Sequence, residues 1–192
     1  MAFWKSANVE PKRAFRFLVR VGGLSDGSGQ FYAKSVTKPA VTVGETGHKF
    51  LNHTFYYPGH VTWNECTITL IDPTNPDATH DLLQILRRSG YQIPRDVRNR
   101  EELTTLSKAD SVRFLDGITI DGLNTDGVPL ERWKLNNPFI KNISFNDYSY
   151  ESEELASITL TIRYDWASYS VLGADAGTRA ESPAGNNNPL FN

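Results

Sequence analysis

Over the first 170 or so positions, apolar residues recur mainly at every second place, the spacing of strands with one buried face. In FRFLVRV (15–21), Phe15, Phe17, Val19 and Val21 point one way while Arg16, Leu18 and Arg20 point the other, which predicts a strand. Gly22, Gly23, Asp26, Gly27 and Gly29 then make a turn-rich break, and FYAKSVTK from Phe31 resumes extended structure until Pro39. From Pro39 to Gly59, Val41, Val43, Phe50, Phe55, Tyr56 and Tyr57 flank a polar GETGHK tip, the pattern of a long hairpin arm. VTWNECTITLI (61–71) is rich in β-branched and aromatic residues and runs into Asp72-Pro73, so it reads as a strand ended by proline.

The periodicity then changes once. Asp77 or Thr79 can cap a helix whose stripe is Leu82, Leu83, Ile85 and Leu86, with Arg87 and Arg88 at the negative end of its dipole and Gly90 just beyond. Residues 91–110 are polar and irregular, with a helical turn expected near 101–106. Strands return at 112–123, 130–135, 139–145 and 155–167. The last places Ala156, Ile158, Leu160, Ile162 and Tyr164 on one face and Leu155, Ser157, Thr159, Thr161 and Arg163 on the other. These elements predict a mainly β chain, an antiparallel β-sandwich or barrel with one flanking α-helix and a long hairpin arm. The length of 192 residues suits one domain, at 15–167, with an N-terminal extension at 1–14. The stretch 168–192 is small, polar and rich in Gly, Pro and Asn, the composition of a flexible tail. Its terminal Pro-Leu-Phe-Asn is either a loose end or an apolar anchor for a neighbour.

Charge removes several classes of function. Twenty Lys plus Arg against twenty-two Asp plus Glu leave a net charge of -2, without the basic footprint of a tight nucleic-acid binder. No apolar run is long enough to cross a bilayer, and the start, MAFWKSANVEPKRAF, lacks the apolar core of a secretion signal. The chain therefore reads as soluble and made in a cytoplasm. A single Cys66 allows no intrachain disulfide and no CxxC or Cys/His zinc spacing.

The search for catalytic chemistry also comes back empty. His48, His53 and His60 lie near Glu65, but without HExxH spacing they read as surface or structural histidines. GxSxG, GxxxxGK[ST] and a GxGxxG between strand and helix are missing, so no cofactor, metal or catalytic residue is expected. Asp116-Gly117, Asp121-Gly122 and Asp126-Gly127 recur every five residues, yet the twelfth position is Gly127 or Arg132, which excludes an EF-hand. Tight turns account for Asp-Gly pairs; acidic side chains displayed for a purpose are the alternative. Arg87, Arg88, Arg95, Arg98 and Arg100 crowd five guanidiniums into fourteen residues, either a docking patch for an acidic protein or a solvated helix end.

The order of segments carries a resemblance. FRFLVRV, a strand closing on KPAV, FLNHTFYYPGHVTWNECTITLID, LERWKLNNPFIKNISF and ITLTIRYDWA together resemble the tail tube proteins of contractile-tailed (T4-like) bacteriophages over about 15–167. Its more specific pieces are Asn52, a Tyr57-Pro58-Gly59 turn with Trp63, Trp133 with Asn137-Pro138, and Tyr164-Asp165-Trp166. The resemblance implies a structural, non-enzymatic subunit of six-membered rings stacked into the inner tube of a tail. Its partners would be other copies of itself, sheath, tape-measure, baseplate and tail terminator proteins, with double-stranded DNA passing through but not specifically bound and no membrane involved. It would be assembled in the host cytoplasm and reside in the virion. Related rings form in type VI secretion systems and R-type pyocins.

Joining sheets of neighbours removes aggregation-prone edges. About four strands from each of six subunits, ~24 strands at ~4.8 Å, give a bore roughly 40 Å across between backbones. Ring stacking would use Val41, Val43, Glu45, His48, Lys49, Phe50, Asn52, Phe55 and Tyr57 of the arm, and the five arginines would face the sheath. A conduit should not bind phosphate, so carboxylates among Asp116, Asp121, Glu131, Asp147, Glu151, Glu153 and Glu154 would line the bore, or else lie on hairpin tips and ring faces. The alternatives are a type VI secretion-like tube subunit, a tube-like baseplate or terminator protein, a monomeric ligand-binding β-barrel, and an enzyme with scattered catalytic residues.

Overall fold

Among the described residues the chain forms two open sheets, a detached ribbon and two helices. The computed structural model describes residues 11–24, 33–75, 77–92, 104–151 and 153–172. The elements are β1 (Phe17–Val21), β2 (Ala33–Val36), β3 (Val41–Phe50), β4 (His53–Trp63), β5 (Cys66–Ile71), α1 (Ala78–Arg88), α2 (Lys108–Leu115), β6 (Ile118–Leu123), β7 (Pro129–Asn136), β8 (Phe139–Phe145), β9 (Ser157–Arg163) and β10 (Trp166–Val171). One sheet has the order β1-β6-β7-β10, the other β2-β5-β9-β8, and β3-β4 stand apart. All pairings are antiparallel. The sandwich expected from the sequence is present; neither sheet closes into a barrel, so β1, β10, β2 and β8 are edges.

Alternation puts the core between the sheets. Val19, Val21, Ile118, Ile120 and Leu135 of the first sheet meet Cys66, Ile68, Leu70, Ile158, Leu160 and Ile162 of the second, all essentially without solvent contact. Leu82 and Ile85 of α1, with Leu115 of α2, extend the same cluster. Asp77 caps α1 by accepting from the His80 backbone N–H at 2.9 Å, and Arg87 and Arg88 fill its last turn, as the sequence implies.

Several expectations need correction. A second helix, α2, occupies part of what the sequence suggested was a strand at 112–123; the strand begins only at Ile118. Ser107 caps α2 through its side chain, and Asp116 ends it in the left-handed region at φ 50°. Residues 61–71 divide between β4 and β5 at Asn64 and Glu65. The region expected to be an N-terminal extension reaches into the fold, because Lys12 pairs with Glu131. The boundary placed after Ala167 falls inside β10, which pairs with β7 through Val171. The rest of the expected tail, and the helical turn expected at 101–106 as far as residue 103, lie outside the described residues.

The chain changes sheets twice at one corner, after β7 and after β9. Asn137, at φ 52°, donates from its amide to Asp165 Oδ2 at 2.9 Å, and the Asp165 N–H donates to the Asn136 carbonyl at 3.1 Å. Lys108 adds contacts of 2.8 and 2.9 Å to the same carboxylate. Its hydrogen bond, then that of Asn137, holds the Asp165 carboxyl below the usual range. Two pieces of the sequence resemblance, Asn137-Pro138 and Tyr164-Asp165-Trp166, thus meet in space and fix how the sheets are joined.

Candidate functional site

The most exposed regular structure is the β3-β4 ribbon. Every residue of β3 is exposed, and in β4 only Trp63 is partly covered. Its apolar load is large: Val41, Val43, Phe50, Leu51, Phe55, Tyr56, Tyr57 and Val61 all face solvent. The 10 residues of β3 span about 33 Å. A two-stranded ribbon is at best marginally stable alone in water, so this surface calls for a partner.

The ribbon differs from its sequence expectation in two ways. The GETGHK segment lies along β3; the tip is the two-residue turn Leu51-Asn52, since Phe50 pairs with His53. Tyr57-Pro58-Gly59 is no turn but part of β4, beside a bulge where the register shifts between Val43↔Val61 and Glu45↔Pro58. Gly44 and Gly59 back onto each other there; a Cβ on Gly59 would come within 3.2 Å of the Gly44 carbonyl. Of the predicted stacking residues, Asn52 sits at the tip, His48, Lys49, Phe50 and Phe55 in the distal half, Glu45 and Tyr57 near the bulge, and Val41 and Val43 at the root.

At the other end of the second sheet is a contrasting surface. Cys66 pairs with Ile162 where the arm is rooted, whereas Ile71 pairs with Ser157 and Phe145 with Ile158 at the opposite end. There the β8-β9 loop displays Tyr148, Tyr150 and Leu155 around a cleft of about 760 Å³. Asp147, Glu151, Glu153 and Glu154 are exposed on the same loop, with Lys34 3.5 Å from Glu154.

Two of the carboxylates considered for the bore or the ring faces, Asp121 and Glu131, are buried and paired within the subunit. Asp121 has 0% exposure and accepts from Arg132 Nε and Nη2, both at 2.7 Å, its cross-strand neighbour in β6-β7. The pair Asp121-Gly122 is accordingly mid-strand and not a turn. Glu131, 4% exposed, receives Lys38 Nζ at 2.7 Å, Lys12 Nζ, and the Tyr169 hydroxyl at 3.3 Å. Burial pushes the Glu131 carboxyl up, but hydrogen bonds and charge from Lys12 and Lys38 outweigh it and bring it down from 4.5 to about 2.

A folded value below the unfolded one means that Glu131 stabilises fully above pH 4.5 and loses that contribution as pH falls through about 2. Glu131→Gln should therefore lower the urea midpoint at neutral pH, with the gap to the parent closing in strong acid. A gap of constant size across that range would show that the charge is not responsible.

The remaining predicted residues fall in three places. Asp116 is exposed at the end of α2. Arg87 and Arg88 are exposed at the end of α1, while Arg95, Arg98 and Arg100 lie outside the described residues. Asp126-Gly127 does make a turn, in which the Asn124 side chain accepts the Asp126 and Val128 N–H groups, each at 2.8 Å.

No protein-family model matches the sequence, and no curated protein matches it. Solved structures do match the fold. A chain of the PVC extracellular contractile injection system sheath/tube terminator in the extended state aligns with a TM-score of 0.61 at 18% identity, covering 86% of this chain and 100% of its own. A chain of the anti-feeding prophage tube-terminating cap aligns at 0.59 and 17%, covering 90% and 100%. One from the 6-fold symmetrised baseplate of the same prophage aligns at 0.59 and 15%, covering 85% and 97%. The chain has the fold found in these contractile injection assemblies, as the resemblance to contractile-tail tube proteins implied.

Proposed function

We propose that this chain is a structural subunit of the inner tube of a contractile injection device, a phage tail tube, built from stacked six-membered rings and without enzymatic activity. The observation that carries the reading is the uncovered β3-β4 arm, whose apolar residues have no partner surface in the subunit's core. Each sheet also offers four strands and two open edges, which suits edge-to-edge closure around an axis. In this reading the arm reaches the next ring, and Arg87 and Arg88 face the sheath. Tape-measure protein fills the bore during assembly and DNA passes later. Asp121 and Glu131 drop out of the bore lining because each already satisfies internal cations. The fold similarity to a terminator, a cap and a baseplate chain supports a second reading, a tube-like terminator or baseplate ring.

Light scattering and negative-stain microscopy of the concentrated full chain test both. A tube subunit should give filaments that lengthen with concentration; a terminator or baseplate ring should give isolated rings. A compact single subunit at high concentration overturns the proposal.

A further inference from the structure

Leu51 occupies a conformation that leucine disfavours. It is the first residue of the two-residue tip, at φ 52°, a left-handed conformation that glycine adopts freely and a side chain bearing a Cβ does not. Its side chain is 88% exposed, so no contact within the subunit compensates. Beside it stand Phe50, 61% exposed, and Lys49, with His48 and His53 on the flanking rungs. The tip is therefore a strained apolar knob with one adjacent cation, Lys49.

The β8-β9 loop has the opposite character. Tyr148 and Tyr150 are 88% and 111% exposed and line the cleft of about 760 Å³ together with Asp147, and Glu151 and Glu153 are exposed on the same loop. Knob and cleft match in charge and in apolar content, yet they belong to opposite ends of the second sheet. The arm is exposed along its whole length, so it is not folded back along its own subunit.

We propose that the β8-β9 loop is the receptor for the arm tip of a second copy, with Leu51 and Phe50 against Tyr148 and Tyr150, and Lys49 among Asp147, Glu151 and Glu153. A donor at one end and an acceptor at the other is a heterologous, head-to-tail contact, which builds an open stack when successive copies are displaced along the axis. The inference rests on the tube reading and deepens it by naming where the arm lands. It also moves these loop carboxylates from the bore to the stacking face.

Disulfide trapping reads the contact directly. Cys66 is buried, donates its thiol to the Thr37 carbonyl at 2.7 Å, and is pushed up to about 11 by burial, so it stays silent under mild oxidation. The full-length double variant Leu51→Cys/Tyr150→Cys should oxidise to a ladder of covalent multimers. An equal mixture of the two single variants should stop at dimers, and each single variant alone should stay uncross-linked. Independently, Lys49→Glu should slow polymer growth about tenfold, as should Glu151→Lys/Glu153→Lys, and combining the three changes should restore most of the loss. Leu51→Gly, which relieves the turn, should raise thermal stability while weakening growth. Parent protein that polymerises while the double-cysteine variant gives no ladder and charge reversal has no effect overturns the receptor alone. Parent protein that never polymerises overturns the tube reading and this inference with it.

Discussion

Removing residues 44–60 and joining Val43 to Val61 through Asn-Gly should abolish polymer formation while leaving the subunit folded. Val43 and Val61 are directly paired, and Asn-Gly favours a two-residue hairpin turn, so the shortened ribbon keeps its register. None of the deleted residues belongs to the core, and Trp63, which packs against it, is retained. The thermal midpoint should move little, because the excised residues bury almost nothing. Sedimentation should show only unstacked species at concentrations where the parent forms filaments. Cutting 45–49 alone would be a poorer test, since Lys49 pairs with Thr54 and Glu45 with Pro58, and the facing strand would be left unpaired. Filaments of normal length from the shortened chain would remove the arm from the stacking mechanism.

How much of this was legible depended on whether a pattern was local. Alternation in 15–21 and 155–167 identified the core faces of β1 and β9 because burial on one side of a strand imposes period two. It could not count the strands: 155–167 bends at Tyr164-Asp165 into a second sheet, and that bend is set by Asn137 and Lys108, remote in sequence. Helix α2 was hidden because Val112, Phe114 and Leu115 suit strands as well as helices. Ser107-x-x-Asp110, a capping spacing, was the available signal, and Ser107 does accept from the Asp110 N–H, at a long 3.5 Å. The arm was recognised, but its tip was misplaced, since polar glycine-rich GETGHK looks more like a turn than Leu51-Asn52 does. Strain at Leu51 is invisible to propensity reasoning by construction, and there the local rule and the structure disagree.

The acidic residues show the same limit from the other side. Asp121, Glu131 and Glu153 carry the same formal charge in the sequence. The first two sit in strands whose registers bring Arg132 opposite one, while Lys12 and Lys38 converge on the other. Asp121 and Glu131 are therefore neutralised inside the subunit, one by its cross-strand neighbour and the other by lysines remote in sequence, which the row of letters does not display.

Asp121 and Arg132 give the second large effect. Replacing Arg132 with Met should leave a buried carboxylate without its bidentate partner, and breaking a buried pair typically costs about 3–5 kcal/mol. The Arg132 side chain is 34% exposed, so water can reach the vacated space and the lower end of that range applies. On roughly 2–4 °C per kcal/mol for a chain of this size, the midpoint should fall by about 6–12 °C. The doubly substituted Asp121→Leu/Arg132→Met should recover most of that fall, since a buried ion pair is often replaceable by apolar residues at little net cost. A double-mutant cycle in urea gives the coupling between the two positions. If the double variant were as unstable as Arg132→Met alone, the loss would come from packing of the arginine stem and not from the uncovered charge, and the electrostatic account of the β6-β7 pairing would have to be given up.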